Sequence, residues 1–420
     1  MVQEPHSNNC ETGKPCQCRS CGSSRLSLVL SLGHTPLANA LLTEDQLNEP
    51  EATWPLDLVR CDDCSLVQIT ETVPPETLFS DYAYFSSFSD TMVEHAKTIA
   101  ERLTTDRSLN SESLVVEVAS NDGYLLQWYK QAGVPVLGVE PAENIAIVAK
   151  NEKGIPTLNE FFGIDVATQM AMNGQQADVL HANNVLAHVA DLNGVVAGFR
   201  TILKPSGRVV VECPYLKELI DNVEFDTIYH EHLCYFSLTA LNHLFGNHGL
   251  DIVDVEQLAI HGGSIRIHAA HVGTVPPSAS VNRMLADEAA WVNDPVCYDR
   301  FAGRVGELKD QLVAKLHELK SAGHSIAVYG ASAKGSTLLN YFGIDDSMIE
   351  YVVDRSTVKQ GRYTPGTHFR ILDPNQLVKD QPDYCLLLTW NFADEILSQQ
   401  QQYRENGGQF IVPIPEVRVA

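Results

Sequence analysis

The sequence predicts an α/β protein in three units: a small cysteine-bracketed unit at the N-terminus, then two Rossmann-like units in tandem. Three observations predict it. Two Cys-x-x-Cys pairs, Cys18/Cys21 and Cys61/Cys64, bracket short strands and loops. A β-branched run, Leu114-Val-Val-Glu-Val, ends in a small polar turn and enters a helix. The same strand–turn–helix grammar returns at Ser325-Ile-Ala-Val-Tyr-Gly-Ala-Ser-Ala-Lys-Gly335. A chain of 420 residues is too long for one compact core. The expected divisions are 1–72, 73–275 and 276–420.

Residues 1–16 read as a disordered lead-in. In the unit that follows, each cysteine pair presents two thiolates from one tight turn. Two such turns complete a tetrahedral four-cysteine zinc site made of Cys18, Cys21, Cys61 and Cys64. Four thiolates leave no open position, so the metal is structural. Neither pair follows a strand at a helix start, which argues against a redox role. Cys10 and Cys16 lie close enough to compete for a place in the set; Cys213, Cys234, Cys297 and Cys385 read as core thiols. Pro74-Pro75 then opens an aromatic segment at 79–88 that carries Tyr82 and Tyr84. It either stacks on a substrate or packs a domain interface. A helix is expected over 91–103.

Strands are expected at 114–118, 134–139, 177–182 and 207–212, with Lys204-Pro-Ser-Gly207 as a turn before the last. The pair 250–255 and 264–269 completes a seven-stranded sheet if one further strand lies between that pair and the first four. The first turn of this sheet is the candidate ligand site, because nucleotide-like ligands bind at the carboxyl edge of such sheets. It lacks the G-x-G-x-x-G of dinucleotide folds. Instead Glu117 lies inside the strand, followed by Ala119, Ser120, Asn121 and Gly123. That suits a ligand with a cationic aminoacyl end and no pyrophosphate, such as S-adenosylmethionine. Glu140, followed by Pro141, ends the second strand about 20 residues on, where an acid binds two ribose hydroxyls. Asn183 and Asn184 are candidates for the pocket floor.

Tyr229-His230-Glu231-His232 falls on a loop over the same edge, before a helix capped at Ser237. A histidine beside a carboxylate and a phenol can act as a general base near neutral pH. His181 and His188, from a neighbouring strand end, are placed to join it. Periodic Phe301, Val305, Leu308, Leu312, Leu316 and Leu319 predict a long connecting helix. In the last unit, Gly330, Ser332 and Lys334 stand at a helix N-terminus, a position that favours phosphate. Further strands are expected near 350–354, 384–389 and 409–413. Asp354 ends the first of these, with Lys359 and Arg362 just beyond. This reads either as a second nucleotide site, for a nucleotide diphosphate, or as a glycine turn packing a helix on a sheet.

A net charge of −24 argues against nonspecific nucleic-acid binding, which needs cations against phosphates. No apolar run is long enough to span a membrane, and the N-terminus lacks a signal peptide. Ten cysteines without a signal favour a reducing, cytoplasmic setting.

With these residues in place, nearly the whole chain resembles the sugar C-methyltransferases that act on thymidine-diphosphate keto-deoxysugars in antibiotic pathways. The resemblance rests on the cysteine pairs with His34-Thr-Pro-Leu-Ala-Asn-Ala40 between them, Glu117 to Gly123, Asn184-Val-Leu-Ala-His188, Tyr229 to His232, and Gly330 to Gly335. It implies a zinc-binding domain, a class I Rossmann-like methyltransferase domain that uses S-adenosylmethionine, and a C-terminal Rossmann-like domain that helps hold the nucleotide sugar. It further implies that His232 deprotonates carbon 3, next to a 4-keto group. Tyr229 and Glu231 would then position the base or stabilise the enolate, with His188 close by and Tyr82 or Tyr84 near the substrate. The chain is expected to act as a monomer on a small molecule. Another small carbonyl or hydroxyl substrate, or a non-catalytic zinc-bearing scaffold, are the competing readings. Where this family prefers glycine the chain has Ala119, whose methyl would crowd the cofactor.

Overall fold

The computed structural model describes residues 16–74 and 85–420. Residues 1–15 of the expected lead-in, with Cys10, and also Tyr82 and Tyr84 lie outside the described residues, whereas Cys16 is described and buried. The remainder is organised on three sheets that share one large apolar core.

The first sheet has four strands in the order β1 (Leu26–Thr35), β2 (Trp54–Cys61), β3 (Val67–Ile69) and β9 (Cys234–Tyr235), all antiparallel. Its fourth strand is not local. β9 follows the Tyr229–His232 loop directly and pairs Val67 with Tyr235 and Gln68 with Cys234.

The central sheet has seven strands. Those before β9 are β4 (Val115–Val118), β5 (Val136–Val139), β6 (Thr157–Leu158), β7 (Ala177–Asn183) and β8 (Leu203–Pro214). The last two are β10 (Leu250–Leu258) and β11 (Ser264–His271). The order is β10-β11-β8-β7-β4-β5-β6, parallel except at β11. All four residues of β4 are buried, as a strand covered on both faces requires.

Two expectations need correcting. The seventh strand is β6, which falls among the first four in the chain and forms the sheet edge beside β5, not one lying between those four and the β10/β11 pair. At two residues it carries too little pattern to read. Lys204–Gly207 is not a turn ahead of β8 but a bulge inside it. Leu203 pairs with Ala177, the register then shifts, and Arg208 pairs with Val179. The helix expected over 91–103 runs Asp90–Asp106, with Ser89 accepting from the Met92 amide as its N-cap.

The helix Pro295–Ser321 buries Phe301, Val305, Leu308, Leu312, Leu316 and Leu319, and starts at an Asp294 cap with proline in its first turn. It leads into the third sheet, formed by β12 (Ile326–Tyr329), β13 (Val352–Val353), β14 (Ile371–Leu372), β15 (Tyr384–Leu387), β16 (Gln409–Val412) and β17 (Arg418–Val419). The order β14-β13-β12-β15-β16-β17 reverses direction between β12 and β15, so the Gly330 turn sits at a switch point.

Candidate active site

The four cysteines converge. Their sulfurs lie within 4.8 Å of one another, with Cys18 and Cys64 at 3.4 Å and Cys21 and Cys61 at 3.5 Å. Three are buried, and Cys16 is not among the four. Tetrahedral thiolate ligands about 2.3 Å from one ion fit this spacing, so the residues suit structural zinc. Asn193, on the helix Leu192–Ile202 of the central unit, donates to the Arg19 and Ser20 carbonyls of the first knuckle at 2.9 and 3.1 Å.

At the central switch point, Glu117 is 1% exposed and one carboxylate oxygen has no partner among the described residues. Burial, then the charges of Glu140 and Asp122, push its pKa well above the usual carboxylate range. An incoming ammonium would reverse that penalty. Glu140 ties the turn together, accepting from the amides of Asn121 and Ala142 at 2.9 Å each. Burial raises its pKa, while those two amides lower it. Asn121 accepts from the Ser86 amide at 2.9 Å, and Ser87 bonds Asp122. The end of the aromatic segment therefore covers the turn. Ser120 and Asn183 each keep a buried side-chain oxygen without a partner among the described residues. Pro141 follows Glu140, and its carbonyl accepts from Asn159 at 2.9 Å. This orphaned polar lining fits the aminoacyl and ribose parts of S-adenosylmethionine.

Ala119, Asn121, Gly123 and Asn184 all adopt positive φ, at 51°, 49°, 79° and 56°. The glycine expected at position 119 would therefore suit the backbone conformation as well as the space. An L-residue there is strained by about 1–2 kcal/mol.

The histidine loop divides its residues. His232 Nε2 lies 2.9 Å from the Tyr229 hydroxyl and Nδ1 lies 2.9 Å from the Thr227 carbonyl. A carbonyl only accepts, so Nδ1 carries the proton and the Nε2 lone pair faces the phenol. The rings of Tyr229 and His188 stand 4.1 and 4.8 Å from that of His232. Burial pushes the pKa of His188 down to about 4, keeping it neutral. Glu231 turns elsewhere: it accepts from Asn39 of the cysteine unit at 2.7 Å. Burial raises its pKa against the pull of Asn39 and Lys359. His230 sits 3.0 Å from the Pro55 carbonyl and packs edge-on to Trp54. His181 does not join the site. It is buried in the core, 2.8 Å from the Tyr129 hydroxyl, with its pKa pushed down to about 3 by burial.

The C-terminal candidates separate. Asp354 accepts from the Ala331 amide at 2.8 Å, as Glu140 does from Asn121. Ser332 caps its helix by accepting from the Gly335 amide at 3.1 Å. A side chain on Gly330 would meet Thr389 at 2.7 Å. The cavity beside Gly330 and Ser332 measures about 10 Å³ and is closed by Ala38 and Leu41, so it has room for about one water. Lys334 stands apart from that cavity, its ammonium 4.7 Å over the Trp390 ring. Lys359 donates to the Ala331 carbonyl at 2.8 Å, and Arg362 is exposed.

Sequence reasoning missed Asn39, Thr227, Asp226 and Trp390. Asn39 lay in a quoted motif, but nothing local said which side chain it would meet. Among the described residues no helix is long and apolar enough to cross a membrane.

Comparison with known proteins matches this architecture unit by unit. A zinc binding domain family covers residues 18–79, a methyltransferase domain family 92–255, and a C-methyltransferase C-terminal domain family 259–415. The chain is 38% identical over 407 residues to the C-methyltransferase NovU of Streptomyces niveus, covering 96% of each chain. Among solved structures it is similar to magnesium protoporphyrin IX methyltransferase from Synechocystis PCC 6803 with bound SAH. That match has a TM-score of 0.34 and 17% identity, over 43% of this chain and 83% of the other. The glycopeptide N-methyltransferase MtfA complexed with sinefungin aligns with a TM-score of 0.33 and 12% identity, over 42% and 94%. Site chemistry, unit order and full-length identity agree: the chain belongs to the S-adenosylmethionine-dependent C-methyltransferases that carry an N-terminal zinc-binding domain.

Proposed function

We propose that this enzyme methylates the carbon next to a ketone, C-3 of a nucleotide-linked 4-keto-deoxysugar with thymidine diphosphate as the nucleotide. The observation that carries this reading is the state of His232. Its Nδ1–H is held by the Thr227 carbonyl, which leaves Nε2 basic and at the Tyr229 hydroxyl. A base of fixed tautomer paired with a phenol suits proton abstraction α to a carbonyl.

S-adenosylmethionine supplies an electrophilic methyl group when bound. Glu117 would hold its ammonium and Glu140 its ribose hydroxyls. Ala119, Ser120, Asn121, Gly123 and Pro141 shape the turn, with Asn183 and Asn184 below. His232 Nε2 takes the C-3 proton. The Tyr229 hydroxyl, no longer accepted by Nε2, donates to the enolate oxygen. His188 stays neutral beside the base, so the imidazolium formed on His232 meets no second positive charge there. Glu231 secures the loop through Asn39. The nucleotide falls to the C-terminal unit, where Lys334, Lys359 and Arg362 provide cations and Gly330, Ser332 and Asp354 build the turn.

The test is His232→Asn. It is expected to abolish both turnover and solvent exchange of the substrate's α-proton, while calorimetry shows unchanged binding of S-adenosylhomocysteine. Normal turnover by this variant would refute the base assignment.

A further inference from the structure

Residues 225–228 lie immediately before the histidine loop, yet much of what holds them comes from the C-terminal unit. Phe225 stacks on Phe342 at 4.9 Å and meets Tyr341 at 5.8 Å. Asp226 is 0% exposed and accepts from the Trp390 indole N–H at 2.7 Å. Its other carboxylate oxygen is buried with no partner among the described residues. The Ile228 carbonyl accepts from the Thr337 hydroxyl at 3.2 Å. Lys334 lies over the opposite partner of Asp226, the Trp390 ring, at 4.7 Å. Thr227 sits between these two anchors. Its carbonyl receives the His232 Nδ1–H at 2.9 Å and, more weakly, the Tyr235 hydroxyl at 3.4 Å.

We propose that Trp390 and Asp226 are positioning residues through which the C-terminal unit sets the tautomer of His232. A peptide carbonyl is aimed by the two residues flanking it. With Asp226 pinned by Trp390 and Ile228 pinned by Thr337, the Thr227 carbonyl has one direction available, and that direction is toward Nδ1. If it turned away, either ring nitrogen could carry the proton, and the fraction of imidazole with a basic Nε2 would fall. The second observation behind this is the half-satisfied carboxylate of Asp226. A buried acid that keeps one oxygen unpaired is costly, and here it is retained at the point where two units meet beside the base.

The inference rests on His232 as the base, and the experiment separates the two. In protein labelled with ¹⁵N-histidine, long-range ¹H–¹⁵N correlation reads the tautomer directly, with His232 assigned by its absence in His232→Asn. The native enzyme is expected to show the Nδ1–H form. Trp390→Phe keeps a ring under Lys334 but removes the indole donor. It is expected to shift His232 toward a tautomer mixture and lower kcat by about tenfold, a part of the 10²–10⁴-fold that general-base catalysis contributes. KM and S-adenosylhomocysteine affinity should not move. Asp226→Asn, which retains an acceptor for the indole, should keep more of the Nδ1–H form and of kcat than Asp226→Ala. A native tautomer in both Trp390→Phe and Asp226→Ala overturns the proposal. An active His232→Asn would sink the base assignment, yet a tautomer shift in Trp390→Phe would still support the positioning role.

Discussion

At position 119 a single methyl group conflicts with the backbone. The residue has φ of 51°, in the left-handed region, where β-carbons crowd the backbone. Ala119→Gly is therefore expected to stabilise the protein by about 0.5–1 kcal/mol, the strain relieved exceeding the flexibility added to the unfolded chain. Urea titration checks the direction, and calorimetry with S-adenosylhomocysteine should show binding at least as tight as native. The departure from an expected glycine was legible in the sequence, but only as a question of space near the proposed cofactor site. The positive φ that makes it a question of conformation is set by the turn that Glu140 ties back, and a string of residues does not show that. The histidine cluster has the same character. Its four residues were legible together, yet they face three directions: His232 toward Tyr229 and Thr227, Glu231 toward Asn39, His230 toward Pro55.

At the scale of elements, the long helix and the buried strands followed from apolar period and capping residues, because those signals are local. The helix behind the histidine loop shows what is not local. Leu238–Asn247 is capped at Ser237, and its first turn is held a second time by Glu288, which no part of the local sequence indicates. That buried carboxylate accepts from the Leu238 and Thr239 amides at 2.7 Å each, the Thr239 hydroxyl at 2.6 Å and the Tyr215 hydroxyl at 2.9 Å. Glu288→Ala strands these donors and is expected to cost about 3 kcal/mol, seen as a lower urea midpoint. On the adjoining segment, Glu224 is held up to about 7, chiefly by burial, against the pull of Lys334. Unfolded, it releases its proton near 4.5; folded, it keeps the proton to about 7. The unfolded state binds fewer protons in that window, so this group's contribution falls as pH rises through it. Glu224→Gln should accordingly gain in melting temperature relative to native at pH 8 and much less at pH 5. An equal shift at both values would remove Glu224 as the source.

For the molecule as a whole, the zinc unit is built against the histidine loop proposed as the active site. Its third strand pairs with β9, Asn39 holds Glu231, and Pro55 meets His230. Four thiolates leave the metal no catalytic position, so its influence on turnover must be mechanical. Stripping zinc with a chelator is expected to abolish methyl transfer in step with metal loss. The first sheet should lose amide-exchange protection together with residues 229–235. A metal-free protein of full activity would separate the two units.

The sequence by itself determined the α/β class and the four cysteines that converge, and it singled out the turn proposed here to hold the cofactor. Each depends on spacing within one short stretch or on a motif repeated in two. Only the tertiary structure decided that all three units meet at residues 225–235. Asn39, Trp390 and Thr337 lie far from that loop in the chain, and their side chains bond to it only because the strand pairing and helix packing bring them there. Hydrogen-bond partners chosen by folding leave no periodicity in the sequence, so what holds the proposed base could be found only where the chain comes together.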